Sequence, residues 1–249
     1  MALTVVFIII AGGDEAGRGA VLGPLVVSLV SINEGKAKKL SEIGVRDSKM
    51  LSRRRREFLF DDIYSLAEDV RTYAITPEEI NNAMRSNISI NELEAIHFAR
   101  LIDESEANPK KIYLDSPDVI PEKFGIRVSL ISKKLLKVNG VNGVRRREKS
   151  SGGGNAAKAV AKIIAEHKAD VKYPVVSAAS IIAKVTRDRA IEELEESLGF
   201  ELGSGYPSDK ITIDMIRRNL DNERLLKHVR AEWKTLKLIR QLKIFEFLK

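Results

Sequence analysis

Apolar residues run almost without a break from Leu3 to Ile10. The run is rich in Val, Ile and Phe, which suit a pleated, buried surface, so it predicts a buried strand. It leads into Ala11-Gly12-Gly13-Asp14-Glu15-Ala16-Gly17-Arg18-Gly19. A second apolar run, Leu25 to Ile32, follows a Gly23-Pro24 turn and predicts another strand. Val70 to Ile75 and Lys111 to Asp115 predict shorter strands, and Arg127 to Ile131 a further one. Helical patterning covers Lys36 to Glu42 and Ser52 to Glu68, with Ser52 as N-cap. Thr76-Pro77-Glu78-Glu79 has the form of a helix start, with Pro at the first helical position and Glu at the third. Ile90 to Asp103, Ala156 to His167 and Ser177 to Leu198 read as further helices. A Gly/Pro break at Gly199 to Pro207 precedes helical segments running to the C-terminus, and no internal repeat is visible. Strands alternating with helices, then helices alone, predict an α/β domain followed by a small helical one. The division is expected near residue 190, giving units 1–190 and 191–249.

Composition narrows this picture. In 249 residues, 44% are hydrophobic and 31% charged, enough for a sizeable core and a polar surface. The absence of Cys removes disulfides, thiolate nucleophiles and Cys-based zinc sites. Lys plus Arg number 42 against 35 Asp plus Glu, a formal charge of +7 that favours a polyanionic partner. The segment from Lys137 to Asn155 holds Gly140, Gly143, Gly152 to Gly154, Arg145 to Arg147 and Lys149, and reads as a basic, flexible loop. The Leu3–Ile10 run is far short of the ~20 residues a spanning helix needs. It has neither a basic leader nor a small-residue cleavage site, so the expectation is a cytoplasmic protein without a membrane anchor.

The candidate chemistry lies in acids that follow apolar runs. Asp14 and Glu15 are expected just past the first strand, where neighbouring side chains can converge on one site. Read structurally, they form a solvated acidic turn with Arg18 as ion-pair partner. Asp115 repeats the arrangement, followed by Ser116-Pro117-Asp118. Asp170 closes the helical segment that contains His167, a place the helix dipole disfavours for an acid. Four acids without Cys or paired His suggest Mg²⁺ or Mn²⁺ held by oxygen ligands rather than zinc. Clustered carboxylates repel one another unless a cation neutralises them, which a two-metal site for phosphodiester hydrolysis requires. No Gly-rich loop ending in Lys-Ser/Thr is present, which excludes a P-loop nucleotide hydrolase. His97, His167 and His228 are read as structural, since metal-activated water needs no histidine base.

These residues resemble a known family. Asp14-Glu15-Ala16-Gly17-Arg18-Gly19 with Gly23-Pro24-Leu25-Val26 is similar to the opening motif of type 2 ribonuclease H. Arg46-Asp47-Ser48-Lys49-Met50-Leu51 resembles its next block, and Leu114-Asp115-Ser116 its third. His167-Lys168-Ala169-Asp170, continuing from Tyr173-Pro174 to Lys184-Val185, resembles the fourth in its archaeal form. Gly203-Ser204-Gly205-Tyr206-Pro207-Ser208-Asp209 resembles the substrate-sensing motif. The five blocks occur in family order. Two departures stand out: Gly13 where a branched apolar residue is expected, and Ala20 where Pro is usual.

The resemblance implies a ribonuclease H-like mixed five-stranded sheet flanked by helices, with a helical C-terminal subdomain. It implies an endoribonuclease acting on RNA/DNA hybrids and on single ribonucleotides in duplex DNA. The cut would fall on the 5′ side of the ribonucleotide and leave 3′-hydroxyl and 5′-phosphate ends. By the same resemblance Asp14, Glu15, Asp115 and Asp170 hold the metals. The Gly17-Arg18-Gly19 backbone and the Tyr206 hydroxyl sense the 2′-hydroxyl, with the Tyr206 ring on the neighbouring deoxyribose. A Tyr packed in a Gly/Pro turn is the plainer reading of that residue. Lys49, Ser180 and Lys184 are candidate phosphate contacts, and the small residues from Ser177 to Ser180 would let a helix N-terminus approach a phosphate. Gln241, Ile244, Phe247 and Leu248 have the spacing of a sliding-clamp-binding peptide, or of an ordinary amphipathic end helix. A monomer is expected. The rival reading is a non-catalytic nucleic-acid-binding protein on the same fold, which would have no need of all four acids.

Overall fold

The structure is a computed structural model that describes residues 8–45, 50–139 and 161–247. In chain order the elements are β1 (Ile9–Ala16), β2 (Leu25–Asn33), α1 (Ala37–Glu42), α2 (Arg53–Leu66), β3 (Asp69–Ile75), α3 (Pro77–Arg85), α4 (Ile90–Glu104) and β4 (Lys111–Asp115). They continue with α5 (Pro121–Ile131), α6 (Lys133–Asn139), β5 (Lys162–Glu166), α7 (Ala169–Lys172), α8 (Pro174–Leu198), α9 (Lys210–Arg218), α10 (Glu223–Leu226) and α11 (Lys234–Phe247).

The five strands form one mixed sheet in the order β3-β2-β1-β4-β5. β2 pairs antiparallel with β1 and β3, whereas β4 runs parallel to β1 and β5 parallel to β4. Helices cover both faces. One face packs Ala11, Ile112 and Leu114 against α4 and α5 through Phe98, Leu101, Phe124 and Val128. The other packs Ile10, Val30 and Ile32 against α2 and α8 through Leu59, Ile63, Val176 and Ile181. A third cluster joins Val21 and Leu22 to Ile191 near the end of α8 and to Met215, Leu225 and Leu236 of the C-terminal helices. α8 runs unbroken through position 190.

Helix starts follow local chemistry. Ser52 caps α2 by accepting from Arg55 N, and Thr76 with Glu79 forms a reciprocal capping box at α3. Three expectations are corrected. The first strand is displaced toward the C-terminus: it spans Ile9–Ala16, so Asp14 and Glu15 lie inside it, and residues 1–7 are outside the described residues. Arg127 to Ile131 is the end of helix α5, where Gly125 lets the helix sit close on Ile163 and Ala165 of β5. The segment read as helix from Ala156 to His167 contains strand β5, paired with β4 from Lys111–Lys162 to Asp115–Glu166. Of the basic segment Lys137–Asn155, residues 137–139 end α6 and the remainder lies outside the described residues.

The two glycines ahead of Asp14 permit β1 to carry acids so deep in the fold. A Cβ at Gly12 would stand 2.5 Å from both Val175 O and Val176 N of α8. One at Gly13 would meet Leu114 Cδ2 at 2.6 Å and Phe98 Cε1 at 2.8 Å. The branched residue expected at position 13 would force the Leu114 and Phe98 side chains aside, and Ala20 is fully buried.

Candidate active site

The parallel register of β1 and β4 pairs Gly13 with Leu114, so the next residues along, Asp14 and Asp115, fall side by side on neighbouring strands. Alternation puts Ile10, Gly12 and Asp14 on the α8 face of β1 and Ala11 and Gly13 on the α4 face. Asp14 is 5% exposed, accepts from the Glu15 amide at 2.8 Å and is hydrogen-bonded by Ser180 of α8. Glu15, next in the strand, is partly buried and interacts with Glu94 of α4, yet its carboxyl also meets that of Asp14. Convergence of the adjacent pair thus survives their placement inside a strand.

Asp115 ends β4 and accepts from the Ala169 amide of α7 at 2.9 Å. That contact brings the start of α7, and with it Asp170, to the same end of the sheet. Asp170 is 2% exposed, and it follows β5 instead of closing a helix.

The site is electrostatically loaded. Burial first, then the charges of Glu15 and Asp115, push the Asp14 carboxyl well above the ordinary carboxylate range. Burial, Glu94 and Asp115 push Glu15 up to about 8, with Arg18 opposing. Among the described residues no three His, Asp or Glu side chains already stand in metal-ligating geometry. The donor set is nonetheless all oxygen and mutually repelling, which fits a hard divalent cation.

Two loops stand beside the acids and are stitched together. Val21 N and Leu22 N donate to Gly205 O at 2.8 and 3.2 Å. Arg187 of α8, 4% exposed, donates to Ser204 O at 3.0 Å and lies over the Tyr206 ring, 4.8 Å from its centroid. Gly205 adopts φ +78°, and a Cβ there would stand 2.7 Å from Leu22 O, so the join requires glycine. Arg230 is fully buried just before α11, and donates to Gly23 O at 3.1 and 3.0 Å and to Arg18 O at 2.9 Å. These bonds hold Gly17-Arg18-Gly19 next to the partly buried Tyr206.

A family model, Ribonuclease HII, matches residues 11–236. Ribonuclease HII of Thermococcus sibiricus is 42% identical over 238 residues, covering 93% of this chain and 91% of that protein. The chain belongs to the ribonuclease HII family. The crystal structure of ribonuclease H2 from Pyrococcus horikoshii OT3 superposes with a TM-score of 0.75 at 39% identity, covering 94% of this chain and 98% of that one. The ribonuclease HII of the Archaeoglobus fulgidus PCNA complex superposes with a TM-score of 0.73 at 37% identity, covering 91% and 96%. The protein is therefore an endoribonuclease of the ribonuclease H class, on a ribonuclease H-like fold.

As a ribonuclease HII, the chain uses its remaining motif residues unevenly. The direct ion-pair partner of Arg18 is Glu94, with Asn91 hydrogen-bonded beside it, and its charge acts on Glu15 from there. Ser180 is buried against Asp14, and Ser177 to Ser180 are at most 1% exposed where α8 packs on β1 and β2. Lys184, one turn on, is partly buried. Lys49 lies outside the described residues. Gln241 is exposed on α11, whose backbone extends through Phe247; the side chains of Ile244 and Phe247, and all of Leu248, lie outside the described residues. His97 stacks on Tyr73 at 4.5 Å, a packing role.

Sequence reasoning missed Glu94, Arg187 and Arg230. The first two carried a signal. Glu94 occupies the apolar stripe of α4 with Phe98, Leu101 and Ile102, and Arg187 falls between Ala183 and Ile191 on α8. A charge on a buried stripe signals a partner below it.

Proposed function

We propose that this ribonuclease HII cleaves the RNA strand of RNA/DNA hybrids and single ribonucleotides in duplex DNA, on the 5′ side of the ribonucleotide. The products carry 3′-hydroxyl and 5′-phosphate ends. The observation that carries the reading is the meeting of Asp14, Glu15 and Asp115 at one end of the sheet, with α7 and Asp170 alongside. Asp14, Glu15, Asp115 and Asp170 would hold Mg²⁺ or Mn²⁺, which when bound would supply water activation and charge neutralisation at the leaving oxygen. Ser180 orients Asp14, and the Ala169 amide orients Asp115.

Recognition falls to the stitched loops. Gly17-Arg18-Gly19 presents backbone to the 2′-hydroxyl, and Tyr206 reads the same group while its ring packs on the neighbouring sugar. Lys49 and Lys184 contact phosphates. Residues 1–190 form the catalytic unit. Residues 191–249 form a helical subdomain ending in a sliding-clamp-binding peptide, Gln241 to Leu248; the relative from Archaeoglobus fulgidus was solved in complex with PCNA. The working protein is a cytoplasmic monomer. No helix among the described residues is long and apolar enough to cross a membrane.

The test is a DNA duplex bearing one ribonucleotide, incubated with Mn²⁺. The wild type is expected to cut 5′ to the ribonucleotide and to spare the all-DNA duplex. Tyr206→Ala is expected to lower kcat/KM by about 10- to 100-fold, the worth of a lost stacking platform, and to impair cleavage more than it impairs fold stability. Equal cleavage by Tyr206→Ala rejects the sensing role, and cutting of the all-DNA duplex rejects the substrate assignment.

The raised carboxyls give a second expectation. Unfolded Glu15 titrates near 4.5, whereas in the fold it stays protonated up to about 8. At Glu15 the metal-free fold therefore binds more protons than the unfolded chain over that window. The Glu15 contribution to stability is fullest below about pH 4.5 and falls as the pH rises toward about 8. A divalent cation replaces the proton, so Mn²⁺ is expected to raise Tm more at the alkaline end of the window than at the acid end. Equal Mn²⁺ shifts at both ends contradict this.

A further inference from the structure

The loop that carries Gly17-Arg18-Gly19 is held twice. Arg230 grips its backbone through the Arg18 carbonyl at 2.9 Å. The Arg18 side chain is gripped separately, by Glu94 and Asn91 near the N-terminal end of α4. Glu94 is fully buried, and Arg18 is about one-third exposed. The chain of contacts continues: Asn91 donates to Asp118, which is 8% exposed and ion-paired with Arg127 of α5 at 3.1 Å. The Asp118 amide donates to Ser116 Oγ at 3.3 Å, one residue from Asp115. A polar line therefore crosses from the Gly-Arg-Gly loop, over α4, to the loop that follows Asp115.

A buried ion pair contributes little net stability, because desolvation offsets its attraction. An apolar residue at position 94 would suit the stripe shared with Phe98 and Leu101 at least as well. What Glu94 supplies, and an apolar residue could not, is a fixed position for the Arg18 guanidinium. With side chain and carbonyl both anchored, the backbone of residues 17 to 19 is set at one height over the acids.

We propose that Glu94 is a positioning residue for substrate recognition: through Arg18 it sets the Gly17–Gly19 backbone against the ribonucleotide. The proposal rests on the reading of that backbone as the 2′-hydroxyl sensor. Glu94 touches no substrate, so its loss acts on the reacting geometry more than on phosphate-borne binding.

The experiment uses the full-length protein with Mn²⁺ and a duplex bearing one ribonucleotide. Glu94→Gln keeps the shape and removes the charge. It is expected to lower kcat about 10-fold with KM within about twofold, since small misplacements act on the chemical step. Mn²⁺ affinity, by calorimetry, is expected to hold or to weaken slightly, because a negative charge that attracts the cation is gone. In an Arg18→Ala background the further effect of Glu94→Gln is expected to vanish. Wild-type kcat in Glu94→Gln overturns the proposal, as does a full additive loss in the Arg18→Ala background. A variant that merely unfolds more easily shows a lower Tm with an unchanged kcat per folded molecule, which also overturns it. Gly19→Ala tests the underlying reading on its own. A Cβ at Gly19 meets nothing within 4 Å, so the variant folds normally and crowds only an approaching ligand. Loss of cleavage in Gly19→Ala with wild-type behaviour in Glu94→Gln rejects the role of Glu94 alone. Full activity in Gly19→Ala rejects the sensor reading, and the proposal with it.

Discussion

Asp14→Asn is expected to lower the rate of cleavage at a single ribonucleotide by about a thousandfold or more, equivalent to about 4 kcal/mol of transition-state stabilisation. The fold is expected to remain. Asn preserves the shape, its amide oxygen still accepts from the Glu15 amide, and Ser180 remains within reach. What disappears is a negative charge that burial and Glu15 already disfavour. At neutral to alkaline pH and without metal, Tm is therefore expected to rise in the variant, not fall. This opposite movement of activity and stability separates a functional acid from a structural one. Activity near the wild-type level removes Asp14 from the metal site. A joint fall of activity and Tm assigns it a packing role.

The second large effect concerns a residue with no chemistry of its own. Gly12→Ala places a methyl 2.5 Å from Val175 O and Val176 N, both main-chain atoms of α8. Neither can rotate away, so strand and helix must separate. Overpacking of a rigid site costs about 3 kcal/mol, and backbone partners put this case at or above that figure. The shift also moves α8, which carries Ser180, away from Asp14. Urea unfolding is expected to show a loss of about 3 kcal/mol or more, with specific activity reduced in the remaining folded fraction. A loss below about 1 kcal/mol, the size of an ordinary surface change, contradicts the close packing described here.

Both effects trace to a segment whose acids were legible in the sequence and whose geometry was not. Asp14, Glu15, Asp115 and Asp170 stood out because each interrupts an apolar context or ends one. The strand itself was misjudged. Leu3 to Ile10 carries the β-branched residues, but the strand takes in Gly12 and Gly13, which propensity argues against. Helix α8 lies so close to β1 that only glycine fits, and nothing local to the strand announces a helix more than 160 residues away.

Strand β5 was hidden for the converse reason. Its sequence, Lys-Ile-Ile-Ala-Glu, follows an Ala- and Lys-rich stretch that reads as helix, and pairing with β4 overrides that preference. Arg127 to Ile131 is a short apolar run, and such runs do not distinguish strand from helix by periodicity. The capped starts of α2 and α3 were read correctly because a cap is decided within four residues. The strand number and mixed character of the sheet came from the family resemblance, not from any single run, and the strand order from the structure. Arg230 belongs to the least legible class: it is a buried cation whose partners are main-chain carbonyls more than 200 residues away in sequence, so no side-chain pattern betrays it.

The central question is whether the acids hold the cations that drive cleavage. The direct measurement is the anomalous scattering of Mn²⁺ in crystals of the protein soaked with that ion. Anomalous density is expected within ligating distance of the Asp14 and Asp115 carboxylates, lost in crystals of Asp14→Asn. Mn²⁺ bound only elsewhere, or unchanged density in the variant, would contradict this assignment.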